Sequence, residues 1–380
     1  MTQAMIRSRV PSTELVPIRV VDSDIHPVPA PGQLVEYIPE PLRSKILSHK
    51  VGSTIYYDAP DFNHAFAMRV DSFTEDGGFP GSDPDLAFQQ AIIEGGSDIG
   101  ILEPGFGAKR LPEWSQAIGA AHNTWLANHW LDSHNNWHKR WRGSICAATE
   151  DIPGAVREIE KWAGHEYMSQ ILIKAEPRPA WGDPHYDPIW AAAVKHNMPV
   201  ACHLSRGYYE TLPIPPVGVP SYNHDFMVSY SLLANNQVMS LIFDGTFDRF
   251  PDLRIVLVEH AFTWILPLMW RMDAIYEARK SWMDIKRKPS EYVKEHIKFT
   301  TQPLDYPDDK TELTRAFEWM DCEKILLFSS DYPHWTYDDP RWLVKHLPAH
   351  AREAIMFRNG IDTYHLPESV PALPGQTKVW

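Results

Sequence analysis

The stretch Val20-Val21-Asp22-Ser23-Asp24-Ile25-His26 sets two carboxylates and an imidazole at every second position. Alternate residues of a strand share a face, so Asp22, Asp24 and His26 point the same way. Carboxylates on a buried face are costly unless they are paired or bound to a cation. The same residue types recur where other apolar runs end. PVACH ends in His203, IVLVEH in Glu259 and His260, and ILLFSSDYPHW runs through Asp331 to His334. Two His with one or two Asp suit a borderline divalent ion such as Zn²⁺, with one position left for water. Each residue has a plainer reading beside that one. Asp331 alone can cap the helix that follows it. His203 alone can be a hydrogen-bonded core histidine. Asp22 can pair with an arginine at the barrel floor, and Glu259 can orient a metal-bound histidine.

Such residues act together only on a scaffold that gathers strand ends. Apolar runs at 19–24, 98–102, 143–148, 170–174, 199–203, 255–259, 297–301 and 324–329 read as strands. Helical spacing fills most intervals, at 114–138, 149–163, 187–196, 237–247, 264–280, 310–320, 338–346 and 349–357. Buried strands alternating with helices imply a parallel sheet covered on both faces, hence an α/β protein. Eight repeats favour a (β/α)8 TIM barrel, with a doubly wound open sheet as the alternative. No GxGxxG follows an early strand, which disfavours a dinucleotide site. The expected organisation is one metal-dependent domain over 1–380, with the barrel at about 18–366. Insertions at 42–97 and 205–236 should rise from the C-terminal face as ordered loops, and the tail 367–380 is free to pack on a neighbour.

Composition narrows the function classes. The net charge is −13 and no Lys/Arg cluster stands out, which argues against a nucleic-acid surface. Cys146, Cys202 and Cys322 are far apart and odd in number, so no disulfide framework is expected. The first residues carry no apolar signal region, and no apolar run is long enough for a bilayer span. A cytoplasmic enzyme with a small-molecule substrate fits these features. His122, His129, His134 and His138 interleave with Trp114, Trp125, Trp130, Trp137 and Trp141. The His spacing does not place all four on one helical face. This segment reads as an aromatic helix packing on the barrel or on a partner chain, in a homodimer or higher homo-oligomer.

The segments DSDIH, DPIWAAAVKHNMPVACH, FDRFPDLRIVLVEH, FSSDYPH and FRNGIDTYHL, in this order, resemble the amidohydrolase superfamily. The branch is the one that contains aminocarboxymuconate-semialdehyde, γ-resorcylate and 5-carboxyvanillate decarboxylases. The resemblance implies a mononuclear site of Asp24, His26, His203 and Asp331 holding Zn²⁺ or Mn²⁺. It implies that His260, together with Asp331, serves the chemical step, His260 as general acid and base. Arg206, Glu259 and His334 are the candidates for substrate contact, Arg206 through a substrate carboxylate. Two features depart from the family pattern: Asp24 is shorter than the usual Glu, and HAFTW follows the sixth strand where glycines are frequent. QILIK offers only Lys174, outside the binuclear pattern. The expected activity is hydrolysis of a cyclic or aromatic amide, lactone or activated ring carbonyl. Non-oxidative decarboxylation of an aromatic or muconate-type acid is the alternative, and a non-catalytic binding barrel is the third.

Overall fold

The computed structural model describes residues 11–48, 67–105, 111–174, 179–204, 228 and 230–380. Eight parallel strands form one sheet in sequential order. They are β1 (Val21–Ile25), β2 (Ile99–Leu102), β3 (Trp141–Cys146), β4 (Met168–Lys174), β5 (Val200–His203), β6 (Ile255–Val258), β7 (Ile297–Thr300) and β8 (Leu326–Leu327). Their residues are almost all buried, which is why several read as continuous apolar runs, while the polar residues of β1 stand out. The sheet closes where β1 meets the chain after β8. Ser23 N donates to Phe328 O at 2.9 Å, His26 N to Tyr332 O at 2.8 Å, and Ile25 bridges Tyr332 in parallel. This is a TIM barrel.

Helices fill most of the intervals where the spacing predicts them, Pro289–His296 is an additional one, and the helix expected from 237 already starts at Tyr230. The 42–97 insertion is not loop throughout. Its last part is helical over Pro84–Ala87 and Phe88–Glu94 and seats Phe88, Ala91 and Ile92 in the core. Those positions have helical i, i+3, i+4 spacing, hidden by the Gly, Pro and Asp before them. The helix expected at 114–138 ends at His129. Asp132 Oδ1 accepts from His134 N and Asn135 N, and Asn135 Nδ2 donates to His129 O, so side chains replace the helical ladder there. The final strand is short because Cys322–Ile325 winds into a helical turn first.

Trp125, Trp130, Trp137 and Trp141 are buried, and His138 stacks on Phe88 with ring centroids 4.1 Å apart. The aromatic segment therefore packs on its own barrel. The tail does the same at the barrel floor. Ser369–Pro371 pairs antiparallel with Leu15–Pro17, and Gln376 Nε2 donates to Ser97 O at 2.9 Å. Arg140 is the hub of this floor. It is fully buried, 3.3 Å from Asp98 Oδ1, and donates to Asp98 O at 2.9 Å and Pro371 O at 2.5 Å. Removing one partner of a buried pair strands the other, so Arg140→Ala is expected to lower stability by about 3–5 kcal/mol. Urea unfolding checks this, and an unchanged midpoint would contradict it.

Candidate metal centre

The centre is built outward from β1. A Cβ added to Gly360 would lie 2.7 Å from Val21 Cγ1, so Val21 faces the outer helix Asn359–Tyr364. Alternation then turns Asp22, Asp24 and His26 to the barrel interior. His26 Nδ1 lies 3.2 Å from Glu103 O, which fixes the ring. Its Nε2 lies 3.0 Å from Asp24 Oδ1 and 3.1 Å from Asp331 Oδ1. From the end of β5, His203 brings Nε2 to 3.8 Å from Asp24 Oδ1 and 3.6 Å from Glu259 Oε2. The His26 and His203 ring centroids are 4.9 Å apart.

None of the contacts made by the two Nε2 atoms has hydrogen-bond alignment. Both Asp24 oxygens, His26 Nε2 and His203 Nε2 are buried and lack a hydrogen-bond partner among the described residues. Buried polar atoms in proteins are nearly always paired, so four such atoms at one place need a reason. Donor atoms about 3.0–3.4 Å apart are the edges of a polyhedron with bonds of about 2.1 Å. The two 3.0–3.1 Å separations match that spacing.

Asp331 arrives from the segment after β8 in the left-handed region, φ 63°. Its Oδ2 accepts from Gln302 Nε2 at 3.0 Å and Thr336 Oγ1 at 2.9 Å. That leaves Oδ1 facing His26. His334 Nδ1 also touches Oδ1. Asp24, His26 and His203 each bring a ligand atom within 4.8 Å of the others, as do His26, Asp331 and His334.

The electrostatics call for a cation. Burial works against a charged His26, yet the Asp24 and Asp331 carboxylates outweigh it and hold its pKa well above the usual range. Burial would raise Asp331, but the charges and hydrogen bonds of His334 and His26 hold it well below the carboxylate range. Burial presses His203 down to about 4, so its imidazole is neutral. Two buried carboxylates beside a neutral imidazole are a donor set for a divalent ion, which matches their combined charge.

Glu103, missed in the sequence, stands one residue past β2. It is buried, and Gln170 Nε2 donates to its Oε1 at 2.6 Å. Burial and then the Asp24 charge push its pKa well up. The strand-end rule that singled out His203 and Glu259 applies to Glu103 equally, since it directly follows DIGIL. Asp22 does not pair with the floor arginine, which Asp98 takes. Its Oδ1 accepts from Ser330 N at 2.8 Å, tying β1 to the segment that carries Asp331. His260 is buried one residue beyond Glu259. Both Glu259 and the following Ala261 have positive φ, 59° and 53°. Arg206 lies outside the described residues, as does most of the 205–236 insertion.

No helix among the described residues is long and apolar enough to cross a membrane. No curated protein matches the sequence. Among solved structures, an amidohydrolase from Mycobacterium avium subsp. paratuberculosis K-10 superposes with a TM-score of 0.66 at 20% identity, covering 92% of this chain and 100% of the other. A 5-carboxyvanillate decarboxylase from Sphingomonas paucimobilis gives 0.60 at 18% identity, covering 92% and 100%. Another, from Novosphingobium aromaticivorans DSM 12444 and complexed with manganese and 4-hydroxy-3-methoxy-5-nitrobenzoic acid, gives 0.63 at 16%, covering 92% and 96%. At these identities the likeness establishes the fold. The amidohydrolase sequence pattern matches residues 21–366, which span the barrel from its first strand to the helix beyond its last, and the chain belongs to the amidohydrolase family.

Proposed function

We propose that the protein is a metal-dependent, non-oxidative decarboxylase of a hydroxylated aromatic acid. The observation that carries the metal part is the group of buried donor atoms without hydrogen-bond partners on Asp24, His26 and His203. The choice of decarboxylation is supported by the fold neighbours that act on carboxyvanillate, one of them complexed with manganese and a nitrobenzoic acid. The carboxylate–x–histidine arrangement of Asp24 and His26 agrees with it. Decarboxylation thus takes precedence over hydrolysis, the reading the sequence places first. Likeness to the mycobacterial amidohydrolase keeps hydrolysis as the second reading.

Asp24, His26, His203 and Asp331 would hold a divalent ion, which would supply Lewis acidity toward the bound aromatic acid. The chain's own residues do the rest. Neutral His203 keeps its Nε2 lone pair available. Glu103 O steadies the far nitrogen of His26, and Gln302 with Thr336 steadies the far oxygen of Asp331. His260 delivers a proton to the ring carbon that bears the carboxylate. The C–CO2 bond then breaks, its electron pair returns to the ring, and CO2 leaves. Arg206 and Glu259 are the candidates for substrate contact, Arg206 through a substrate carboxylate.

The test is anaerobic incubation of manganese-loaded protein with hydroxybenzoates and carboxyvanillate in deuterated water. The expected result is CO2 release with one deuterium at the vacated ring carbon. Chelation should abolish it and Mn²⁺ should restore it. Incorporation of labelled water oxygen into a product, with no CO2, would establish hydrolysis instead.

A further inference from the structure

The reading above uses Asp24, His26, His203 and Asp331, and leaves a donor beside them unexplained. His26, Asp331 and His334 converge within 4.8 Å, as Asp24, His26 and His203 do, and the two triads share His26. With Nδ1 turned to Glu103 O, the His26 ring offers one ligating nitrogen, Nε2. One lone pair serves one ion, so an ion held by either triad would use this same nitrogen.

Asp331 enters this centre through one oxygen. Oδ2 is occupied by Gln302 and Thr336, whereas Oδ1 is the atom 3.1 Å from His26 Nε2. His334 Nδ1 touches that same Oδ1. The ring is held there by its backbone. His334 N donates to Asp331 O at 2.8 Å, and His334 bridges Met68 in antiparallel fashion. Arg69 N to Pro333 O and Trp335 N to Ala67 O, both 2.9 Å, clamp it from either side. The His334 side chain is 18% exposed, and its ring centroid lies 4.6 Å from that of His26.

We propose that His334 is a fifth protein ligand of the bound ion, through Nδ1, on the Asp331 side of His26. This rests on the metal-centre reading above and moves His334 from substrate contact to ligation. The donor set becomes three imidazoles and two carboxylates, whose charge balances a divalent ion. Five donors suit a six-coordinate ion such as Mn²⁺ better than a four-coordinate Zn²⁺ site.

The test counts imidazoles. Metal-free protein is loaded with one equivalent of Mn²⁺ and studied by pulsed electron paramagnetic resonance and X-ray absorption. The expected count is three directly bound imidazoles in the wild type and two in His334→Gln. Mn²⁺ should also bind the variant about 10-fold or more weakly. Two bound imidazoles in the wild type would overturn the proposal and make His334 a hydrogen-bond donor to Asp331. That count needs no variant, so it stands even where His334→Gln fails to fold. A wild type that binds no Mn²⁺ at all would overturn the metal centre itself, a distinguishable result.

Discussion

His26→Ala is expected to lose bound metal and activity together. Its Nε2 lies about equally far from Asp24 Oδ1 and Asp331 Oδ1, at 3.0 and 3.1 Å, and both donor triads pass through it. Without the ring, two buried carboxylates face each other with no charge between them. The affinity loss should exceed the roughly 10–100-fold that follows removal of a hydrogen-bond partner of a ligand. Metal measured by mass spectrometry after dialysis should fall from one equivalent to a trace, with CO2 release falling alongside. His203→Ala should behave the same way, since its Nε2 has no hydrogen-bond partner among the described residues. Circular dichroism separates metal loss from unfolding. Stoichiometric metal in folded His26→Ala would remove His26 from the centre.

His260→Asn is expected to keep the metal and lose turnover. The residue is buried just past β6 and next to Glu259, whose carboxylate is 3.6 Å from His203 Nε2. Asparagine preserves polarity and approximate size, but its amide nitrogen neither gives up nor takes up a proton near neutral pH. Loss of a general acid typically lowers kcat by about 10²–10⁴-fold. The pH–rate profile should also lose the limb due to that acid. A folded, metal-replete His260→Asn with wild-type kcat would take the proton-transfer role away from His260.

The barrel was legible because parallel strands buried on both faces tend to be apolar along much of their length. IGIL, VACH and IVLV sit where the sequence places them. Helix caps were legible too: Asp151 accepts from Gly154 N and starts the helix Ile152–Trp162. What escaped was set by tertiary context. The 84–94 helix is masked by its Gly- and Pro-rich approach, and the helix after residue 112 stops where Asp132 and Asn135 take over its end. The strand-end carboxylates and imidazoles stand out because apolar runs rarely finish in them. Glu103 escaped because its run was read to end at Leu102. His334 stands among the substrate-contact candidates of the sequence, and spacing along the chain does not show that its segment folds back against Met68.

The most direct measurement is anomalous scattering at the manganese edge from a crystal of the reloaded protein. The account predicts one peak per chain, within about 2.2 Å of donor atoms of Asp24, His26, His203 and Asp331. A fully loaded crystal with no peak there, or with its peak elsewhere, would contradict it.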